Sequence, residues 1–175
     1  SAKLNLDWAL GTQKENGFFP HCSFPNYQYP LTHTIAYTLR GLLEVGIATK
    51  DEKYITAVFK SIDNIIKVQK PNNSFPGMLS ESWEPKATWS CLTGDVQLAI
   101  IMLKLYEISG INIYKKSAIG AIQFVKSHQS LSRNHNLRGA IGGCAPIFRG
   151  YFRFSYPNWA AKFFADALML QESIE

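Results

Sequence analysis

Two kinds of apolar pattern alternate along the chain. From Val96 to Tyr106 nearly every position is apolar, and Leu98, Ile100, Ile101, Met102, Leu103 and Leu105 cover all sides of a helix. A helix of that kind is buried all round. From Asp51 to Pro71 the pattern is two-faced: Ile55, Val58, Phe59, Ile62, Ile65 and Ile66 recur at helical spacing, with Lys60, Asp63 and Lys67 opposite. One side of that helix meets water.

Start and stop signals extend this to six helices. The first runs over Lys3–Gln13 with Leu6, Trp8 and Leu10. The second is capped by Thr32, runs through Ile35, Tyr37, Leu39, Leu42 and Leu43, and stops at Gly46. The third begins at Asp51 and is ended by Pro71. The fourth is capped by Thr93 and ends at Gly110. The fifth covers about Asn112 to Gln129, with Ala118, Ile122 and Val125 on one stripe. The sixth starts near the capping residue Asn158 and carries Trp159, Phe163, Phe164, Leu168 and Leu170. Long Gly-, Pro- and aromatic-bearing loops separate the first from the second, the third from the fourth and the fifth from the sixth.

The spacing repeats. Three helices end at Gln13, Gln69 and Gln129, and three others begin at Thr32, Thr93 and Asn158. Each unit is an amphipathic outer helix, a loop and an apolar inner helix, which fits stacked αα-hairpins. The fold class expected is all-α, a double layer of outer around inner helices. In a closed α/α toroid of this type the loops and the inner-helix N-termini gather at one mouth. Three hairpins are half of a six-hairpin ring. Residues 1–175 are therefore expected to be one domain, half of or a partial (α/α)6 toroid and the C-terminal part of a longer one. Open apolar ends of the inner layer predict association, as a homodimer or with the missing N-terminal half.

Composition narrows the setting. The chain is 46% hydrophobic and 13% aromatic, enough for one substantial core. No run approaches about 18 uncharged apolar residues, so no membrane span is expected. Cys22, Cys91 and Cys144 are far apart without a Cys-x-x-Cys pair, which favours a reducing, cytoplasmic setting with buried thiols. The net charge is +5, and no acidic residue lies between Glu107 and Asp166. That interval holds Lys115, Lys116, Lys126, Arg133, Arg138, Arg149, Arg153 and Lys162. A field of one sign attracts anions. No nucleic-acid motif accompanies it, so nucleic acid is not the expected partner.

The mouth is where chemistry is expected. Asp95 leads: in the first turn of the fourth helix, the dipole and free N–H groups should hold it ionised as a base, nucleophile or hydroxyl acceptor. His33 sits one residue after its cap, where the dipole disfavours the imidazolium, and is expected to be neutral. Glu81 lies beside Trp83 and Trp89, which should desolvate it and suit it to an acid role. Glu81 and Asp95 together could serve glycoside hydrolysis. Around the last loop, Arg138, Arg149, Arg153, Tyr151 and Tyr156 are suited to an acidic sugar, by forked contact with its carboxylate or by abstracting and returning a proton. Trp83, Trp89 and Trp159 offer flat faces for stacking, and Asn158 stands at the same mouth. No zinc-ligand spacing, Asp-x-Asp-Asp cluster or phosphate-cradling glycine loop is present, so neither metal nor cofactor is called for.

Three segments, Leu31–Glu44, Ser90–Ile100 and Tyr156–Leu168, carry a resemblance. They resemble the C-terminal half of a group of bacterial proteins similar to the six-hairpin glycosidase and terpenoid-cyclase toroids. Members of that group occur in surface-polysaccharide gene neighbourhoods. The resemblance implies the toroid fold over about Leu10 to Leu170 without fixing a reaction. The leading expectation is a carbohydrate-active domain that binds, and cleaves or epimerises, an acidic oligo- or polysaccharide. The alternatives are a terpenoid-cyclase- or prenyltransferase-like isoprenoid-binding protein and a non-catalytic helical-repeat scaffold in polysaccharide assembly.

Overall fold

The computed structural model describes residues 2–174, with the side chain of residue 2 left aside. Six helices follow one another: α1 (Ala2–Gly11), α2 (Thr32–Thr49), α3 (Glu52–Lys67), α4 (Leu92–Ser109), α5 (Asn112–Ser127) and α6 (Asn158–Ile174). Among the described residues there is no strand, only isolated bridges between loops. No described helix is long and apolar enough to cross a membrane.

α4 is the centre of the molecule. Thirteen of its residues, among them Val96, Leu98, Ile101, Leu103 and Leu105, are buried. It packs against α2, α5 and α6. A helix apolar on every side can hide from water only when others surround it. The amphipathic α5 does part of this, burying Tyr114, Ala118, Ala121, Ile122 and Val125, while α3 packs on α2 and buries Tyr54, Val58, Ile62 and Ile65.

The inner helices run in parallel. In the first turn of α4, a Cβ on Gly94 would lie 2.4 Å from Thr32 Oγ1 and 2.8 Å from the His33 backbone nitrogen. Only glycine lets the starts of α2 and α4 meet so closely. Toward the other ends, Lys104 donates to Glu44 at 2.9 Å. In α6, Phe163 meets Tyr37 of α2 edge-on at 6.0 Å. Both rings lie five residues into their helices, so all three starts share one end of the molecule, as the repeat requires.

Several boundaries differ from those expected. α2 does not stop at Gly46 but runs to Thr49, with Lys50 left-handed at φ 55° closing it. Gly46 is there for packing, since a Cβ would lie 2.8 Å from Ile55 of α3. Thr32 and Thr93 are not caps: the N-caps are Leu31 and Cys91, with no capping hydrogen bond from a side chain. Both threonine hydroxyls are buried without a partner.

The three glutamines lie two residues beyond their helices and act as staples. Gln13 Nε2 donates to Ala57 O on the next outer helix at 2.8 Å and to Gly17 O in its own turn at 3.1 Å. Gln69 Nε2 likewise donates to Ser117 O at 3.0 Å and Asn73 O at 2.9 Å, and its Oε1 accepts from Ser117 Oγ at 2.6 Å. Gln129 Nε2 donates within its own loop, to Gly139 O at 3.0 Å. The loops are joined in the same order: Leu31 bridges to Met78, and Ser90 to Ala145.

Replacing Gln69 by Ala removes its hydrogen bonds to the Ser117 and Asn73 carbonyls and the acceptor of the Ser117 hydroxyl. It should cost about 2 kcal/mol of unfolding free energy, whereas Gln129→Ala, which breaks one contact within a loop, should cost about 1 kcal/mol or less. Urea titration of the two variants measures the difference.

Candidate functional site

The residues singled out from the sequence do not form one cluster. Asp95 is fully buried on the side of α4 that faces the 68–91 loop, where its Oδ1 accepts the Phe75 backbone N–H at 3.1 Å. Its Oδ2 has no partner. Burial, opposed by the Phe75 hydrogen bond and by the charge of Lys70, pushes this carboxyl well above the usual carboxylate range. The shift runs opposite to the one expected for a carboxylate at a helix start. The first turn alone would favour the charge, but the closed surroundings remove the water that would stabilise it, and desolvation is the larger effect. Asp95 holds a loop in place.

Glu81 is elsewhere again. Its side chain is exposed and pairs with Lys14, and its carbonyl accepts from Asn16 Nδ2 at 2.8 Å. The tryptophans near it in sequence are buried while its carboxylate stands in solvent. Trp83 is buried, with its Nε1 donating to Asn16 O at 2.9 Å and its ring edge-on to Phe18 at 5.3 Å. Trp89 fills a slot between Gly77 and Gly150, where a Cβ on either glycine would lie 2.2 Å from the indole. Both indoles are buried, and Trp83 reaches the wall of a cleft with Asn64, Val68 and Pro85.

His33 stands at the opposite side of α4 from Asp95. Its Nδ1 shares a hydrogen bond with Gln97 Oε1 at 2.8 Å. Gln97 is two residues beyond Asp95, about 200° round the helix. His33 is 4% exposed. Burial holds its pKa below the usual value, against the Gln97 hydrogen bond. The imidazole is neutral as expected, with desolvation as the main cause. With Gln97 Oε1 as acceptor, Nδ1 carries the proton and Nε2 keeps its lone pair.

Around His33 the rings connect. Tyr37 lies 4.7 Å from it and Tyr151 5.3 Å; Phe152 is 4.7 Å from Tyr151, and Trp159 is 5.3 Å from Phe152. Phe163 continues the series beyond Tyr37. Tyr37 is 50% exposed and Phe152 47%, so the series opens to solvent at two points. Tyr151 is buried, and that burial pushes its phenol up to about 12, with the Trp159 indole beside it acting the other way.

α2 supplies the floor. His33, Tyr37, Arg40 and Glu44 recur at helical spacing and form one stripe. Arg40 lies over the Phe163 ring at 5.5 Å and pairs with Glu44 at 3.5 Å, which Lys104 also holds. Because of this stripe α2, unlike α4, is not apolar all round. The stripe was available in the sequence, but the apolar run beside it masked it. Tyr37 was missed as a site residue for that reason; Phe152 and Phe163 lie outside α2, and nothing in the sequence sets them apart from other packing aromatics.

The last long loop carries the ring series outward through Tyr151 and Phe152. Arg138, Arg149, Arg153 and Tyr156 are exposed along it, with Phe148, Phe152 and Phe154, and Asn158 is exposed at the start of α6. Arg149 Nη1 donates to Thr88 Oγ1 at 3.2 Å. A cleft of about 310 Å³ beside this loop is lined by Leu92, His128, Cys144, Ile147 and Tyr156.

Asp95→Asn tests the electrostatics of the loop anchor. The amide oxygen can still accept from Phe75, and the ionisable group is gone. A carboxyl with a raised native pKa makes the native state bind more protons than the unfolded chain, so stability falls as pH rises above about 4. The variant should therefore match the parent near pH 4 and be the more stable of the two near pH 8, as read by urea unfolding across that range.

No protein-family model and no curated protein matches the chain. Among solved structures, a GH76 α-mannanase from Bacteroides thetaiotaomicron is similar, with a TM-score of 0.72 and 15% identity over 99% of this chain and 45% of the mannanase. A polysaccharide lyase is similar with a TM-score of 0.64 and 14% identity, over 97% of this chain and 53% of the lyase. This chain spans about half the length of either, and the likeness establishes its fold: an all-helical, partial α/α toroid.

Proposed function

We propose that this chain forms a saccharide-binding wall of an α/α toroid and takes an acidic oligosaccharide. The observation that carries this reading is the series of rings around His33, open at Tyr37 and Phe152, with Arg40 over the Phe163 ring and Arg153 next to Phe152 in the chain. Sugars offer flat C–H faces to aromatic rings. Uronates add a carboxylate that a guanidinium can hold in a fork. The acid-free stretch from 108 to 165 leaves the last long loop without competing carboxylates. The similarity to a mannanase and a polysaccharide lyase supports a carbohydrate in general.

Of the reactions considered, proton abstraction next to a uronate carboxylate fits the groups at the mouth best. The unprotonated Nε2 of His33 is suited to receive a proton, and Tyr151, held protonated by its burial, to return one. Hydrolysis by Glu81 and Asp95 has less support, because one lies on the surface and the other in the core. An isoprenoid site has less support too: it needs a sealed chamber, and Tyr37 and Phe152 face solvent.

Calorimetric titration with uronic-acid oligomers should show binding, weakened about 5- to 10-fold by Tyr37→Ala or Phe152→Ala, on the scale of one lost aromatic contact. Arg153→Ala should weaken binding of the acidic oligomer and leave a neutral mannan oligomer unchanged. Equal affinity for the two oligomers in the parent protein would remove the acidic specificity. Loss of parental activity in His33→Ala, with its melting temperature retained, separates the catalytic reading from a scaffold.

A further inference from the structure

We propose that Cys91 and Cys144 are the two halves of a redox-responsive cross-link that fastens the 128–157 loop to the start of α4. The backbone places them. Ser90 and Ala145 face each other in an antiparallel bridge with reciprocal hydrogen bonds, each 2.9 Å. The next residues along, Cys91 and Cys144, are therefore neighbours across a non-hydrogen-bonded position, on the face opposite Ser90 and Ala145. Cα atoms in such pairs are about 4.5 Å apart, inside the roughly 4.4–6.8 Å that a disulfide spans. Both side chains enter the same small core with Leu31, Trp89 and Tyr151.

As free thiols the two have other partners. Cys144 Sγ donates to the Arg149 carbonyl, so a turn about its Cα–Cβ bond must precede bonding. Cys91 is fully buried, and burial pushes its thiol up to about 12, with the nearby Cys144 adding to the rise. Cys91 is closed off from solvent, while Cys144, almost wholly buried, reaches the wall of the cleft beside the loop. Once formed, the cross-link keeps Tyr151 beside His33 and Phe152 beside Tyr151.

The oxidant is a small-molecule disulfide. A thiolate of the pair attacks one of its sulfurs, forming a mixed disulfide and releasing one small thiol. The second protein thiolate then displaces the other small thiol. The two cysteines lose two protons and two electrons in total, and the oxidant takes them up as two thiols.

Cys22 provides an internal control. It packs against the main core, its Sγ donates to Phe19 O at 2.9 Å, and no bridge places another cysteine opposite it. The full chain is equilibrated in mixed reduced and oxidised glutathione, alkylated and mapped without reduction. Expected are a linked Cys91–Cys144 peptide, an alkylated Cys22, a monomeric mass, and a melting temperature about 5–15 °C above that of the reduced protein. Cys144→Ser should lose the link and the thermal shift, and Cys22→Ser should keep both. The peptide map of the parent protein stands even if a variant folds poorly. Cys91 and Cys144 both remaining alkylatable in that buffer, or a linked protein melting below the reduced one, would overturn the proposal.

Discussion

The enclosure of α4 is the constraint on which the rest of the structure depends. Its apolar residues face every direction, and each fully buried Leu or Ile contributes on the order of 1.5–3 kcal/mol that is lost if that direction opens to water. No single neighbour can cover it, so α2, α5 and α6 close round it together. Parallel packing of α2, α4 and α6 follows because each is reached through a long loop from the same end. Short turns, at Lys50 and Gly110, make the return.

The mouth follows from this enclosure. Where α2 and α4 begin, Gly94 lets the two helices come into contact, and polar side chains are carried into a place with almost no water. Some find partners, as His33 finds Gln97; others, such as the Thr93 hydroxyl and Gln97 Nε2, find none in the protein. Unpaired buried donors are costly, and natural proteins keep few of them. Their presence next to a neutral histidine and an open series of aromatic rings distinguishes this end from the opposite one, where the helices simply turn back.

Asp95 and His33 illustrate how one helix can serve two purposes. Both carried the marks of a site residue: a titratable group at a helix start, in a chain of toroid type. The two-residue step from Asp95 to Gln97 sends one side chain under the 68–91 loop and the other toward α2 and His33. The carboxyl was absorbed by the architecture, with its charge disfavoured by the same enclosure that stabilises α4. The histidine was left at the mouth. The tryptophans divided in the same way, Trp83 and Trp89 into packing and Trp159 into the ring series.

The alternation of wholly apolar and two-faced helices, the spacing of Gln13, Gln69 and Gln129, and the acid-free stretch before α6 were legible in the sequence. From them came the six helices, their two layers and the common end for the inner starts, because burial of apolar faces leaves few other arrangements. Helix limits set by packing were not legible: Gly46 resembles a stop until α3 is seen to press against it. Nor were the surroundings of charged and aromatic groups. Whether a carboxyl keeps its charge, or an indole its open face, depends on what segments distant in the chain bring against it. Only the folded arrangement decided that Asp95 is interior with burial working against its charge, that Glu81 is outside, and that Tyr37 and Tyr151 join His33.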